Sequence, residues 1–129
     1  MPTPEEKRAF LESVVRSRGY AHRYHRLLAE HDLEVLKATH EAPTAFYARE
    51  RILSKGEKEL LLVVIFTCAR AAPYIIQAHI RKALAFGVKP RDILEALEMT
   101  LLDAGKAAFE NGLLAWEAVA AQTDQEKTA

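Results

Sequence analysis

The chain has 129 residues, 50% of them apolar and 28% charged, and its 18 Lys and Arg residues balance 18 Asp and Glu. That is enough chain for one domain with a real core, and a neutral balance supplies no basic field to hold nucleic acid or an anionic membrane, so neither partner is expected. A single cysteine, Cys68, excludes an internal disulfide. With no apolar leader and no run near the ~20 residues of a membrane helix, a soluble cytoplasmic protein is expected.

Helix signals recur from the first residues. Thr3-Pro4-Glu5-Glu6 reads as an N-cap, a proline at the first helical position and a capping-box glutamate. Phe10, Leu11, Val14 and Val15 follow at helical spacing, and Gly19 suits the C-terminal stop. A second helix is expected from Tyr20 to Glu30. Asp32 caps a third, from Leu33 to His40, which Pro43 is expected to interrupt. A short turn fits Ala45 to Leu53.

The longest apolar run, Leu60-Leu61-Leu62-Val63-Val64-Ile65-Phe66, follows a second capping-box pattern, Ser54-Lys55-Gly56-Glu57. The cap and the charged first turn favour helix over buried strand. A helix apolar on all sides must be buried on all sides, and a domain this small has few helices to surround it, so a homo-oligomer is expected. Pro73 breaks the run and begins the next helix, which stops at Gly87. Pro90 begins another, with Ile93, Leu94, Leu97 and Leu101 on one stripe. Gly105 marks a boundary or a close approach. The last helix carries Phe109, Leu113, Trp116 and Ala120 on one face, and residues 123–129 read as a frayed polar tail. The total is about six or seven helices and no sheet, an all-α fold.

Ile75, Ile76, His79, Ile80 and Ala83 share one face of the helix after Pro73, so His79 stands in an apolar stripe. Two readings stay open: a core histidine satisfied by a carbonyl or carboxylate, and an acid/base imidazole in a pocket. Cys68 reads as an inert buried thiol or, alternatively, a single redox or nucleophilic cysteine. Tyr74 reads as a core or interface tyrosine, or as a phenol at a pocket mouth. Glu95 and Glu98 belong to a solvated face unless one bonds His79. His22 and His25, at i and i+3, read as a solvated basic face rather than a metal pair, which needs further ligands. No metal and no cofactor is expected.

The order Leu53-Ser54-Lys55-Gly56-Glu57-Lys58-Glu59-Leu60, then the apolar helix, then Ala78-His79-Ile80-Arg81-Lys82-Ala83 and onward to Leu97, resembles the carboxymuconolactone decarboxylase family, which includes the alkylhydroperoxidase D proteins. The resemblance spans residues 53–121, with 1–50 as N-terminal helices of the same single domain, 1–129. It implies an alkylhydroperoxidase D-like helical fold assembled as trimers or hexamers, with a hexamer favoured. The peroxidase branch carries Cys-x-x-Cys at the positions that are Ala72 and Ile75 here, so dithiol peroxidase chemistry is not expected. The family's acidic relay position falls on Leu60, and Glu59, one residue away, takes that role if the break at Pro73 shifts the register.

The resemblance therefore implies a decarboxylase or isomerase for a small organic acid or lactone. His79 is the acid/base, assisted by Glu59 or Tyr74, and Arg70 and Arg81 are the cations to bind an anionic substrate. The alternatives are a non-catalytic oligomer that kept the fold, and a redox module using Cys68.

Overall fold

The structure, a computed structural model, describes residues 1–128, with side chains described to residue 122. The described residues hold seven α-helices and one 3₁₀ turn, with no strand. The chain divides into two compact units, Met1–Ile52 and Leu53 onward.

The first unit holds α1 (Pro4–Arg18), α2 (Arg23–His31) and α3 (Leu33–Phe46). Thr3 and Glu6 close the expected capping box on α1, Gly19 ends it in the left-handed conformation at φ 83°, and Asp32 caps α3 through the Val35 N–H. Pro43 does not interrupt α3 as the sequence suggests. It falls in the last turn, where the missing N–H removes one hydrogen bond, and the Tyr47 N–H still closes on the Pro43 carbonyl at 2.7 Å. The unit's core is Ala29, Leu33 and Leu36, with Phe10, Leu11 and Leu28 packed against it.

His25 is the departure in this unit. It is buried, not part of a solvated basic face. Its Nδ1 accepts the backbone N–H of His22 at 2.9 Å and so caps the start of α2. An accepting Nδ1 fixes the neutral tautomer with the proton on Nε2. Burial, reinforced by Arg18, His22 and His40, holds its pKa down at about 4. Because the folded value lies below the unfolded 6.5, this ring contributes stability in full above pH 6.5 and loses it as the pH falls toward about 4. Replacing His25 by asparagine keeps an acceptor but removes the titration. The fall in melting temperature from pH 7 to pH 4 is expected to be shallower in that variant than in the native chain, and equal slopes would refute the assignment.

The second unit holds α4 (Lys55–Cys68), α5 (Pro73–Ala85), α6 (Pro90–Glu98), a 3₁₀ turn (Met99–Leu101) and α7 (Lys106–Thr128). Residues expected to form a frayed tail, 123–129, lie outside the described side chains, although the helical backbone runs to Thr128. Ser54 and Glu57 form both arms of the α4 capping box, at 3.1 and 2.8 Å. Pro73 and Pro90 stand at the first positions of α5 and α6, where a missing N–H costs nothing. The α4 and α5 helices pack along each other as a hairpin, and α7 crosses both. Val63, Ile76, Ile80, Ala83, Ile93, Leu97, Ala115 and Val119 form the core. Each large aliphatic member contributes about 1.5–3 kcal/mol on burial.

Two expected faces are corrected. In α7 the buried line is Ala108, Gly112, Ala115 and Val119, while Phe109, Leu113, Trp116 and Ala120 flank it half-buried. Small side chains let α7 approach α4 closely, and the larger ones seal the edges. Trp116 still reaches the core rim and donates Nε1–H to the Pro90 carbonyl at 2.9 Å. In α6, Leu101 is exposed, because the helix gives way to the 3₁₀ turn before reaching it.

The turn from α4 to α5 is a Schellman motif. The Ala71 N–H bonds the Phe66 carbonyl at 2.9 Å and the Arg70 N–H bonds the Thr67 carbonyl at 3.1 Å. The left-handed residue of this motif, usually glycine, is Arg70 at φ 57°. Replacing Arg70 by glycine is expected to stabilise the protein by about 0.5–1 kcal/mol, read from urea denaturation. A loss of stability would show that the arginine side chain supplies more than the strain removes.

Candidate active site

The α4–α5 hairpin brings Glu59 and His79 together. Glu59 Oε2 lies 2.7 Å from His79 Nδ1, and the two side chains are only 2% and 1% exposed. They are 20 residues apart in sequence, one more than the family spacing implies. The four residues between α4 and α5 absorb the difference: Ala69 is still helical, Arg70 turns left-handed, and Pro73 restarts the helix. Leu60, at the position the spacing points to, packs against the core instead.

Two further side chains complete the arrangement. Lys82, one turn beyond His79 on α5, places Nζ 3.6 Å from Glu59 Oε1, with its side chain 24% exposed. Phe66 stacks on the imidazole, with centroids 5.0 Å apart and planes at 20°. A carboxylate beside an ammonium is ionised and can only accept, so His79 Nδ1 carries the hydrogen and donates it. The imidazole is thereby fixed in orientation and tautomer, with Nε2 as the atom that can take up a proton.

The structure does not bring the other nominated residues into this pair. Cys68 is exposed at the end of α4, which corrects its reading as a buried thiol: α4 turns this last position away from the core, while Val63 and Thr67 face inward. Tyr74 is 63% exposed at the start of α5, which corrects its reading as a core tyrosine. Arg70 is exposed and serves the turn described above. Arg81 is exposed and donates to Gln122 Oε1 at 3.4 Å. Glu95 and Glu98 are exposed on α6, and Glu59 takes the bond to His79. Lys82 and Phe66 were missed in the sequence. Lys82 was legible in principle, as the cation three residues after His79 on one helix face. Among the described residues no three His, Cys, Asp or Glu side chains are grouped so as to hold a metal ion.

The fold and this pair define a class: all-α proteins in which a helix hairpin buries a carboxylate–imidazole pair. A family model described as carboxymuconolactone decarboxylase matches residues 34–126, from α3 into α7. The chain belongs to the carboxymuconolactone decarboxylase family, and the match begins nearer the N-terminus than the 53–121 resemblance read from the sequence. Comparison with curated proteins and with solved structures returned no significant match. No described helix is long and apolar enough to cross a membrane.

Proposed function

We propose that this protein is an enzyme of proton transfer at carbon, acting on a small organic acid or lactone, with His79 as the acid/base. The observation that carries this reading is the 2.7 Å bond between Glu59 and His79 Nδ1 in a buried setting. It presents one oriented imidazole whose second nitrogen handles the proton. In decarboxylation Nε2 first takes up the proton of the substrate's own carboxyl group; the C–C bond to the leaving CO₂ then breaks, its electron pair stays on carbon, and the Nε2–H of the imidazolium so formed protonates that carbon. In isomerisation Nε2 removes a proton from one carbon and returns it to another. Glu59 stabilises the imidazolium that forms between steps. Phe66 stacks on the ring and covers one of its faces. The exposed Cys68 lacks a second thiol at Ala72 or Ile75, so dithiol cycling has no basis here.

A homo-oligomer, trimer or hexamer, belongs to the same proposal. In the single chain α4 leaves Leu61 and Ile65 50% and 56% exposed, beside a buried Val63. An apolar helix left open on one side suits a second copy of the chain. A stable monomer in size-exclusion chromatography with light scattering would remove this part.

The test of the catalytic reading uses a panel of small lactone carboxylates and unsaturated acids in D₂O, followed by NMR for deuterium entering carbon. Asparagine at position 79 places an amide nitrogen where Nδ1 stands and keeps the bond to Glu59, but has no Nε2. The native chain is expected to label at least one compound, and the folded H79N variant to lose that activity by ~100-fold or more. Labelling at the native rate in folded H79N, or no labelling by the native chain across the panel, overturns the reading.

A further inference from the structure

We infer that His25 and His40 form a buried site for one water molecule, which accepts a hydrogen bond from His25 Nε2 and donates one to His40 Nδ1. The tautomer of each ring follows from its other hydrogen bonds. His25 Nδ1 accepts the His22 backbone N–H at 2.9 Å, so its hydrogen is on Nε2. Around His40, both neighbouring hydroxyls direct their hydrogens to carbonyls: Ser17 Oγ donates to Val14 at 3.2 Å and Thr44 Oγ1 to His40 itself at 2.8 Å. Their oxygens, 3.1 and 3.3 Å from His40 Nε2, are left as acceptors. His40 Nε2 therefore carries the hydrogen and Nδ1 keeps a bare lone pair. That leaves one buried donor, His25 Nε2–H, and one buried acceptor, His40 Nδ1, and neither has a hydrogen-bond partner among the described residues.

The fold brings the two rings to one place. Asp32 alone separates α2 from α3, and the two helices pack against each other. His25 lies seven residues before that corner and His40 eight after it, so the rings stand at matching distances along the two helices. In keeping with this, His40 is among the charges acting on His25, and Arg18 acts on both. The pairing of a donor with an acceptor selects the ligand. A metal ion would meet the hydrogen on His25 Nε2, which the bond from His22 keeps there. An anion would suit the charge of Arg18 but would meet the lone pair of His40. A neutral O–H oxygen offers a lone pair to one ring and a hydrogen to the other, and water is the smallest group that does so. Leaving either nitrogen buried and unsatisfied is costly, and one bound water removes both costs.

The test is a set of high-resolution crystal structures of the full chain at pH 7, with ¹⁷O relaxation dispersion of water to count long-lived internal waters in solution. Three variants separate the two arms of the site. H25N keeps an acceptor for the His22 N–H and lacks Nε2. H40Q keeps a donor toward Ser17 and Thr44 and lacks the Nδ1 acceptor. H40N places an amide oxygen where Nδ1 stands. The native chain and H40N are expected to show one ordered oxygen within about 2.7–3.2 Å of both His25 Nε2 and the acceptor at position 40. H25N and H40Q are expected to lose that oxygen and to hold one long-lived water fewer. A direct bond between the two rings, an anion in place of the oxygen, or an oxygen retained in H25N or in H40Q overturns the assignment. Circular dichroism confirms the fold of each variant, and if H40Q does not fold, H25N against the native chain decides by the same criteria.

Discussion

Replacing His79 by leucine is expected to destabilise the protein by about 3–5 kcal/mol, more than the loss of one hydrogen bond alone. The reason is what the change leaves behind. Glu59 stays buried between α4 and α5, with Lys82 at 3.6 Å as the charged partner at its other oxygen. A carboxylate in that position loses its water and its best donor together. Replacing Glu59 and His79 together, by methionine and leucine, removes the stranded charge. The double variant is expected to recover most of the loss, since apolar groups of similar volume often replace a buried ion pair at little cost. Urea denaturation of both variants, with unchanged slopes, decides it. A single variant losing under ~1 kcal/mol, or a double variant no better than the single, would show that Glu59 escapes to water.

A second large effect is expected where a normally favourable change meets a tight contact. Gly112 lies inside α7, where alanine ordinarily stabilises a helix by about 1 kcal/mol over glycine. Here a Cβ would come within 2.7 Å of Thr67 Cγ2 and 2.8 Å of both Leu97 Cδ2 and Thr67 Oγ1. The expected result of G112A is a net loss of about 1–3 kcal/mol, the overpacking cost exceeding the propensity gain. Thr67 is fully buried, and its hydroxyl has no hydrogen-bond partner among the described residues, so T67A removes two of the three clashing atoms at low cost. In the T67A background, G112A is expected to be neutral or stabilising. Equal effects of G112A in both backgrounds, measured as a double-mutant cycle, would show that the helices move apart instead.

The residues that were readable and those that were not separate along physical lines. Local signals came through well. The capping boxes at Thr3 and Ser54, the restart at Pro73, and the apolar stripe around His79 depend on neighbours within one helical turn, and the structure shows each of them. Pro43 misled because a proline's effect depends on how far the helix extends beyond it, which packing settles. His25 misled for a related reason: its spacing from His22 shows a shared face, but only the packing decides whether that face meets water.

For this protein the sequence by itself determined an all-α chain, its family, and the histidine at the centre of its longest apolar region. The helices and the place of the histidine follow from periodicity and capping, which are properties of single helices, and the family from the resemblance in residue order around His79. Only the tertiary structure decided that Glu59, not Leu60, meets His79, because the left-handed turn at Arg70 sets how α4 and α5 face each other. It likewise decided that Lys82 and Phe66 join the pair and that Cys68, Tyr74, Arg70 and Arg81 stand outside it. One residue of register rotates a helical side chain by about 100°, and a buried carboxylate in that turn points either at the imidazole or away from it.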